Sequence, residues 1–139
     1  MNLGRLNHVG VATPSIEQSL ELYRTMFHAE PHGPAFDLPA QGVRVCFVDT
    51  PNSQIELIEP LGADSPILKF LEKNPLGGQH HLCFEVADIE EARAEAVVLS
   101  GELLRDLGGQ FWNSSEWQIR VEDEAGDKVC ALTFSADRS

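Results

Sequence analysis

The fold of this chain is decided by residues 6–16, which read Leu6-Asn7-His8-Val9-Gly10-Val11-Ala12-Thr13-Pro14-Ser15-Ile16. In the first seven residues, Val9 and Val11 fall on one side and His8 on the other, which is the period of a β-strand with one covered face. Thr-Pro-Ser then predicts a helix start, with Ser15 and Gln18 spaced as a capping box. The stretch therefore predicts a strand that is followed at once by a helix.

The rest of the chain extends this pattern into two successive groups of strands and helices. Runs rich in β-branched and aromatic residues predict further strands at 35–38, 42–49, 54–59, 80–86, 117–121 and 128–134. Apolar periodicity predicts a short helix at 67–73, capped by Ser65, and a long helix that begins at Asp88, its cap. The order is β-α-β-β-β followed by a shortened β-α-β-β, whose last hairpin is able to extend the sheet.

The two successive groups of strands and helices predict an α+β fold with a mixed sheet curved into a cup. We expect a first module at 1–60, a connecting arm at 61–79 and a second, atypical module at 80–139, all in one compact domain.

Composition excludes several classes of function. The chain has 139 residues and a formal net charge of −12, so nucleic acid and anionic membrane surfaces are not expected as its main partners. No apolar run approaches the ~20 residues needed to span a bilayer. Three cysteines in apolar runs predict reduced, buried thiols and a cytoplasmic protein (Cys46, Cys83, Cys130).

Three polar side chains fall on the strand faces turned away from the predicted helices. His8 lies opposite Val9, His81 lies opposite Leu82, and Glu56 lies opposite Leu57. Two imidazoles and a carboxylate from three strands form a suitable set of ligands for zinc, cobalt, manganese or iron. The spacing alone also fits surface or hydrogen-bonded side chains with no metal.

Residues 3–88 resemble the methylmalonyl-CoA epimerases of the vicinal oxygen chelate, or glyoxalase-like, superfamily. The resemblance is carried by Leu6-Asn7-His8-Val9, Gln54-Ile55-Glu56-Leu57, Asp64-Ser65-Pro66-Ile67 and Gly77-Gly78-Gln79-His80-His81. It implies a β-α-β-β-β module with His8, Glu56 and His81 at metal-ligand positions. It also implies an acyl-CoA substrate whose α-carbon is inverted through a metal-stabilised enolate. A homodimer would cover the exposed sheet edge.

The chain differs from the family at both acidic positions that the resemblance implies for proton transfer. Cys130 or Ala131 stands where the family has a glutamate on its last strand, and Val45 falls near the second acidic position. From residue 88 onward the chain resembles instead a small bacterial domain family of unknown function, which predicts a chimera. The catalytic bases are therefore unassigned.

Two alternatives to the isomerase remain open. The missing glutamate favours a non-catalytic protein that binds a metal or small ligand, or a hybrid fold without activity. Two histidines and one carboxylate also serve non-haem iron oxygenases.

Overall fold

The computed structural model describes residues 3–108 and 116–135. The chain divides into two units, Gly4–Glu85 and one that begins at Val86. The first unit contains, in order, β1 (Leu6–Ala12), α1 (Ile16–Phe27), β2 (Phe36–Leu38), β3 (Val43–Asp49), β4 (Gln54–Pro60), α2 (Leu68–Lys73) and β5 (Gly78–Phe84). The second contains α3 (Ile89–Leu107), β6 (Glu116–Glu122) and β7 (Lys128–Ser135). The mixed α+β fold is therefore confirmed; the division at residues 60 and 79 stays a prediction.

Two of the three predicted helix caps are present. Ser15 Oγ accepts a hydrogen bond from the Gln18 amide at 3.3 Å, and Asp88 Oδ1 accepts bonds from two amides of the first turn of α3. The predicted Ser65 cap is wrong. The residue before α2 is Ile67, and the buried Ser65 hydroxyl has no hydrogen-bond partner within the described part of the chain. Because Leu68 N–H bonds the Ser65 carbonyl instead, the chain enters α2 through a backbone turn.

The first unit is built on a five-stranded mixed sheet in the order β2-β3-β4-β1-β5. β1 is parallel to β4 and antiparallel to β5, and the other neighbours are antiparallel. The parallel pairing of β1 with β4 requires a crossover, which contains α1, β2 and β3. This order makes β1 the neighbour of both β4 and β5, so side chains from all three strands can meet.

Each face of this sheet carries its own apolar cluster. On one face, Leu57 and Cys46 pack with residues of α1 such as Ile16. On the other face, Ile58 and Val45 pack with Ile67, which precedes α2, and with Phe70 and Leu71 of α2. The face that carries His8 is therefore partly covered by the predicted connecting arm.

β5 differs from its prediction in its bounds and in its surroundings. The predicted strand was 80–86, and the structure begins it two residues earlier and ends it at Phe84. Leu82 and Phe84, which the alternation assigned to a covered face, are 50% and 40% exposed.

In the second unit, a helix packs on a hairpin. Ala92 and Ala96 of α3 are buried with Val121 of β6, as the periodicity predicted for the helix. β6 and β7 form a two-stranded antiparallel sheet, which is the hairpin that the sequence predicted. In the described part of the chain, we find no helix with the length and apolarity that crossing a membrane requires.

Candidate metal centre

Three donor side chains lie on one face of three adjacent strands. In the sheet register, Gly10 of β1 pairs with Glu56 of β4 on one side and with His81 of β5 on the other. His8 lies two residues before Gly10 and therefore shares its face. The register thus brings together the three residues that strand alternation had singled out.

The three donor atoms form a nearly equilateral triangle. His8 Nε2 lies 3.1 Å from His81 Nε2 and 3.5 Å from Glu56 Oε2, and His81 Nε2 lies 3.3 Å from the same carboxylate oxygen. The side chains of His8 and Glu56 are 16% and 13% exposed, whereas that of His81 is 36% exposed. The group is therefore held within the fold and opens to solvent at His81.

A divalent cation fits this triangle. With donor atoms 3.1–3.5 Å apart, His8, Glu56 and His81 would each reach one shared cation at the ~2.0–2.2 Å of nitrogen and carboxylate ligation. Three protein ligands with an open side are typical of a catalytic rather than a structural metal site. No second group of three such donors occurs among residues 3–108 and 116–135.

Gly10 makes the triangle possible. A Cβ on Gly10 would overlap the ring of His81, so this ring occupies space that any other residue would fill. Sequence reasoning did not assign Gly10 a role. The available signal was a lone glycine inside a strand, which often marks a close approach of other atoms.

Each of the two histidines follows an extra residue in its strand. Leu6 pairs with Phe84 and His8 with Cys83, so Asn7 has no opposite residue and forms a bulge. A second irregularity in the same strand pair leaves His80 as the extra residue before His81. The Nδ1 atoms of His8 and His81 contact these two neighbours, at 2.9 Å to Asn7 Oδ1 and 3.0 Å to His80 Nδ1. Both rings therefore present Nε2 to the centre.

The two positions with missing acidic residues have apolar surroundings. Val45 is 1% exposed and belongs to the cluster around Ile58. Cys130 lies in the second unit, where it packs against the cluster around Ala92. Neither provides a carboxylate, as the sequence indicated.

A family model described as the glyoxalase/bleomycin resistance protein/dioxygenase superfamily matches residues 7–127. The chain belongs to this superfamily. The match includes all three donor residues and continues well beyond residue 88.

Several curated proteins that are similar to this chain are epimerases. The ethylmalonyl-CoA/methylmalonyl-CoA epimerase of Cereibacter sphaeroides is 45% identical over 117 residues, which are 84% of this chain and 81% of that protein. The mitochondrial methylmalonyl-CoA epimerase of Bos taurus is 50% identical over 91 residues, 66% of this chain and 51% of that protein. The chain thus spans about half the length of the mitochondrial relative. The predicted family resemblance is confirmed.

Solved structures of other proteins share the architecture. A hypothetical protein of Bacillus halodurans superposes with a TM-score of 0.64 at 28% identity, covering 97% of this chain and 95% of the other. The Streptomyces coelicolor methylmalonyl-CoA epimerase in complex with 2-nitronate-propionyl-CoA superposes with a TM-score of 0.62 at 26% identity, covering 91% and 83%. Since these matches cross residue 88, the predicted chimera is not shown.

Proposed function

We propose that this chain is a metal-dependent isomerase of the methylmalonyl-CoA epimerase type, which inverts the carbon between the thioester and the carboxylate of an acyl-CoA. The observation that carries the proposal is the triangle of His8, Glu56 and His81, with donor atoms 3.1–3.5 Å apart. The 45% identity to an ethylmalonyl-CoA/methylmalonyl-CoA epimerase supports the substrate class.

The chemistry of the donor set matches what such a reaction needs. A divalent cation such as cobalt, manganese or zinc would supply positive charge where negative charge develops as the α-proton leaves. His8 and His81 would hold it through neutral nitrogens, and Glu56 would contribute the anionic ligand. Among the described residues, these three donors form the site, so a bound cation would keep coordination positions for the substrate's oxygens.

The surroundings of the triangle assist binding. Phe47 lies beside His8 with a ring-centre separation of 5.9 Å and an edge-on geometry. On the register, Phe47 pairs with Glu56 and shares its face, so its ring forms an apolar wall next to the carboxylate. An apolar wall limits water around Glu56, which strengthens its attraction for a cation. The more exposed side at His81 is the direction from which a substrate can approach.

Proton transfer must proceed without carboxylates at positions 45, 130 and 131. The described structure places a buried valine at the first, and the other two are a cysteine and an alanine. The proposal therefore assigns binding and charge stabilisation to the triangle and leaves both proton-transfer roles to other groups.

The experiment is an assay of the cobalt- or manganese-loaded protein with one stereoisomer of methylmalonyl-CoA in deuterated water. The proposal expects loss of optical purity together with deuterium at the α-carbon. It expects neither in Glu56→Ala, and both in the matched control His32→Ala, which removes an exposed imidazole outside the site. Metal binding by the wild type without exchange or inversion would overturn the isomerase and favour the non-catalytic binding protein. Oxygen consumption by the ferrous protein would favour an oxygenase.

The proposal includes a cytoplasmic homodimer. In the described residues, β2 and β5 are the edges of the main sheet, and β5 also exposes Leu82 and Phe84. An exposed apolar edge strand is a surface that proteins commonly cover. Light scattering after size-exclusion chromatography would test the dimer, and Leu82→Glu would weaken a dimer that uses this strand.

A further inference from the structure

A strand bulge places Asn7 where a regular strand could not. Successive side chains of a strand point to opposite faces, so Asn7 and His8 would normally be separated by the sheet. Because Asn7 is the extra residue between two register pairs, its amide reaches the neighbouring imidazole, with Asn7 Oδ1 2.9 Å from His8 Nδ1. Bulges commonly re-aim a side chain beside an active site.

The amide of Asn7 is held in one orientation by Glu85. Oε1 of Glu85 lies 3.1 Å from Asn7 Nδ2, and the same oxygen accepts bonds from Arg5 Nη2 at 2.7 Å and Arg5 Nε at 3.2 Å. The Glu85 amide also donates to the Arg5 carbonyl, which fixes the residue just before β1 opposite the residue just after β5. These bonds lower the pKa of the Glu85 carboxyl, with Arg5 as the larger cause and Asn7 as the smaller. At neutral pH Glu85 is therefore ionised and can only accept.

This chain of contacts determines which nitrogen of His8 carries the proton. Because the Glu85 carboxylate can only accept, the NH₂ group of Asn7 must face Glu85. The other end of the same amide, Asn7 Oδ1, then faces His8. An amide oxygen can only accept, so His8 Nδ1 must carry the hydrogen. His8 Nε2 is then left with its lone pair directed at His81 and Glu56.

We propose that Asn7 is a positioning residue, held by Glu85 and Arg5, that fixes His8 in the Nδ1-protonated tautomer and so prepares Nε2 to bind the cation. Outer partners of this kind typically change metal affinity by about tenfold to hundredfold. The inference rests on the metal site of the proposed function and is independent of the reaction catalysed there.

The first readout is the tautomer of His8 in the metal-free protein, measured by long-range nitrogen–proton NMR of the imidazoles. The wild type should show His8 protonated at Nδ1, and Asn7→Ala should shift His8 toward the other tautomer or a mixture. The control is Asn52→Ala, which removes an exposed turn asparagine and should leave the His8 signals unchanged.

The second readout is affinity for Zn²⁺ or Co²⁺, measured by competition with a chelator. Asn7→Ala should weaken binding by about tenfold to hundredfold, and Glu85→Ala, which leaves the amide in place but free to turn, should weaken it less. The double variant Asn7→Asp with Glu85→Gln reverses donor and acceptor, so it should recover most of the affinity at unchanged net charge.

Failure of this inference is distinct from failure of the proposed function. An Asn7→Ala protein with the tautomer and metal affinity of Asn52→Ala would overturn the positioning role, whether or not the wild type epimerises a substrate. If Asn7→Ala does not fold, the double variant is the test. A wild-type His8 tautomer and metal affinity in the double variant support the positioning role of Asn7, and loss of both contradicts it. A wild type that binds no metal would overturn the metal site, while the NMR measurement would still judge the tautomer.

Discussion

The ring of His81 lies over Gly10, at the position where any other residue would carry its Cβ. Gly10 also pairs with Glu56 in the neighbouring strand, so this one glycine leaves room for two donor side chains to meet above β1.

Substitution Gly10→Ala is expected to weaken binding of Zn²⁺ or Co²⁺ by about tenfold or more, because the added methyl group displaces the His81 ring from Glu56. Chelator competition measures the affinity, and circular dichroism checks the fold. The matched control is Gly33→Ala, where a Cβ would meet no atom within 4 Å. Wild-type affinity in Gly10→Ala would show that the close approach of His81 is not needed for binding.

Substitution Leu57→Ala is expected to lower the free energy of unfolding by about 2–5 kcal/mol, because it opens a cavity in a closed apolar cluster. Leu57 is fully buried in one cluster with Ile16 and Cys46, on the face opposite Glu56. Urea unfolding provides the measurement. Leu22→Ala, at a residue that is 51% exposed, should cost about 0.5 kcal/mol or less. Equal costs for the two variants would contradict the assignment of this core.

Cys46 is expected to resist thiol reagents until the protein unfolds. Burial raises the pKa of its thiol, and this effect outweighs the opposing charges of Arg24 and Arg44, so little reactive thiolate forms. Under native conditions, titration with a chromogenic disulfide should count the same number of rapidly reacting thiols in the wild type and in Cys46→Ala. In denaturant the wild type should release one additional thiol. Loss of rapid signal in native Cys46→Ala would contradict this expectation.

The Glu85 network is expected to make stability depend on acid pH. Hydrogen bonds from Arg5 and then Asn7 hold the pKa of the Glu85 carboxyl below its ordinary value of 4.5. A carboxyl with a lowered pKa in the folded state contributes stability above the unfolded value, and this contribution is lost as pH falls through the folded value. Urea unfolding at about pH 6 and about pH 3 measures how much of the unfolding free energy is lost in acid. This loss should be larger for the wild type than for Glu85→Gln. Equal losses would show that the network makes no net contribution.

The sequence predicted the elements of the first unit with few errors because its local signals agree with one another. β1 matches its predicted bounds, and α1 begins where Ser15 and Gln18 placed its cap. Strand alternation also placed His8, Glu56 and His81 on corresponding faces, since the side-chain period of a strand is fixed at two. Their use as metal ligands stays a prediction.

The errors occur where the surroundings of a residue, and not its type, decide what its side chain does. Ser65 and Pro66 are a typical helix start, yet the backbone bond from Leu68 N–H to the Ser65 carbonyl forms the turn into α2, and the Ser65 hydroxyl is buried with no partner among the described residues. Leu82 and Phe84 alternate as a covered face would, but burial depends on what packs against a strand, which alternation does not determine.

By itself, then, the amino-acid sequence determined which residues are donors and toward which face each one projects, because both follow from side-chain chemistry and local backbone geometry. The tertiary structure decided that these donors meet, through the register that sets Gly10 between Glu56 and His81. It also decided that Asn7 reaches His8, because a bulge exists only relative to the strand it pairs with, 77 residues farther along the chain at Phe84.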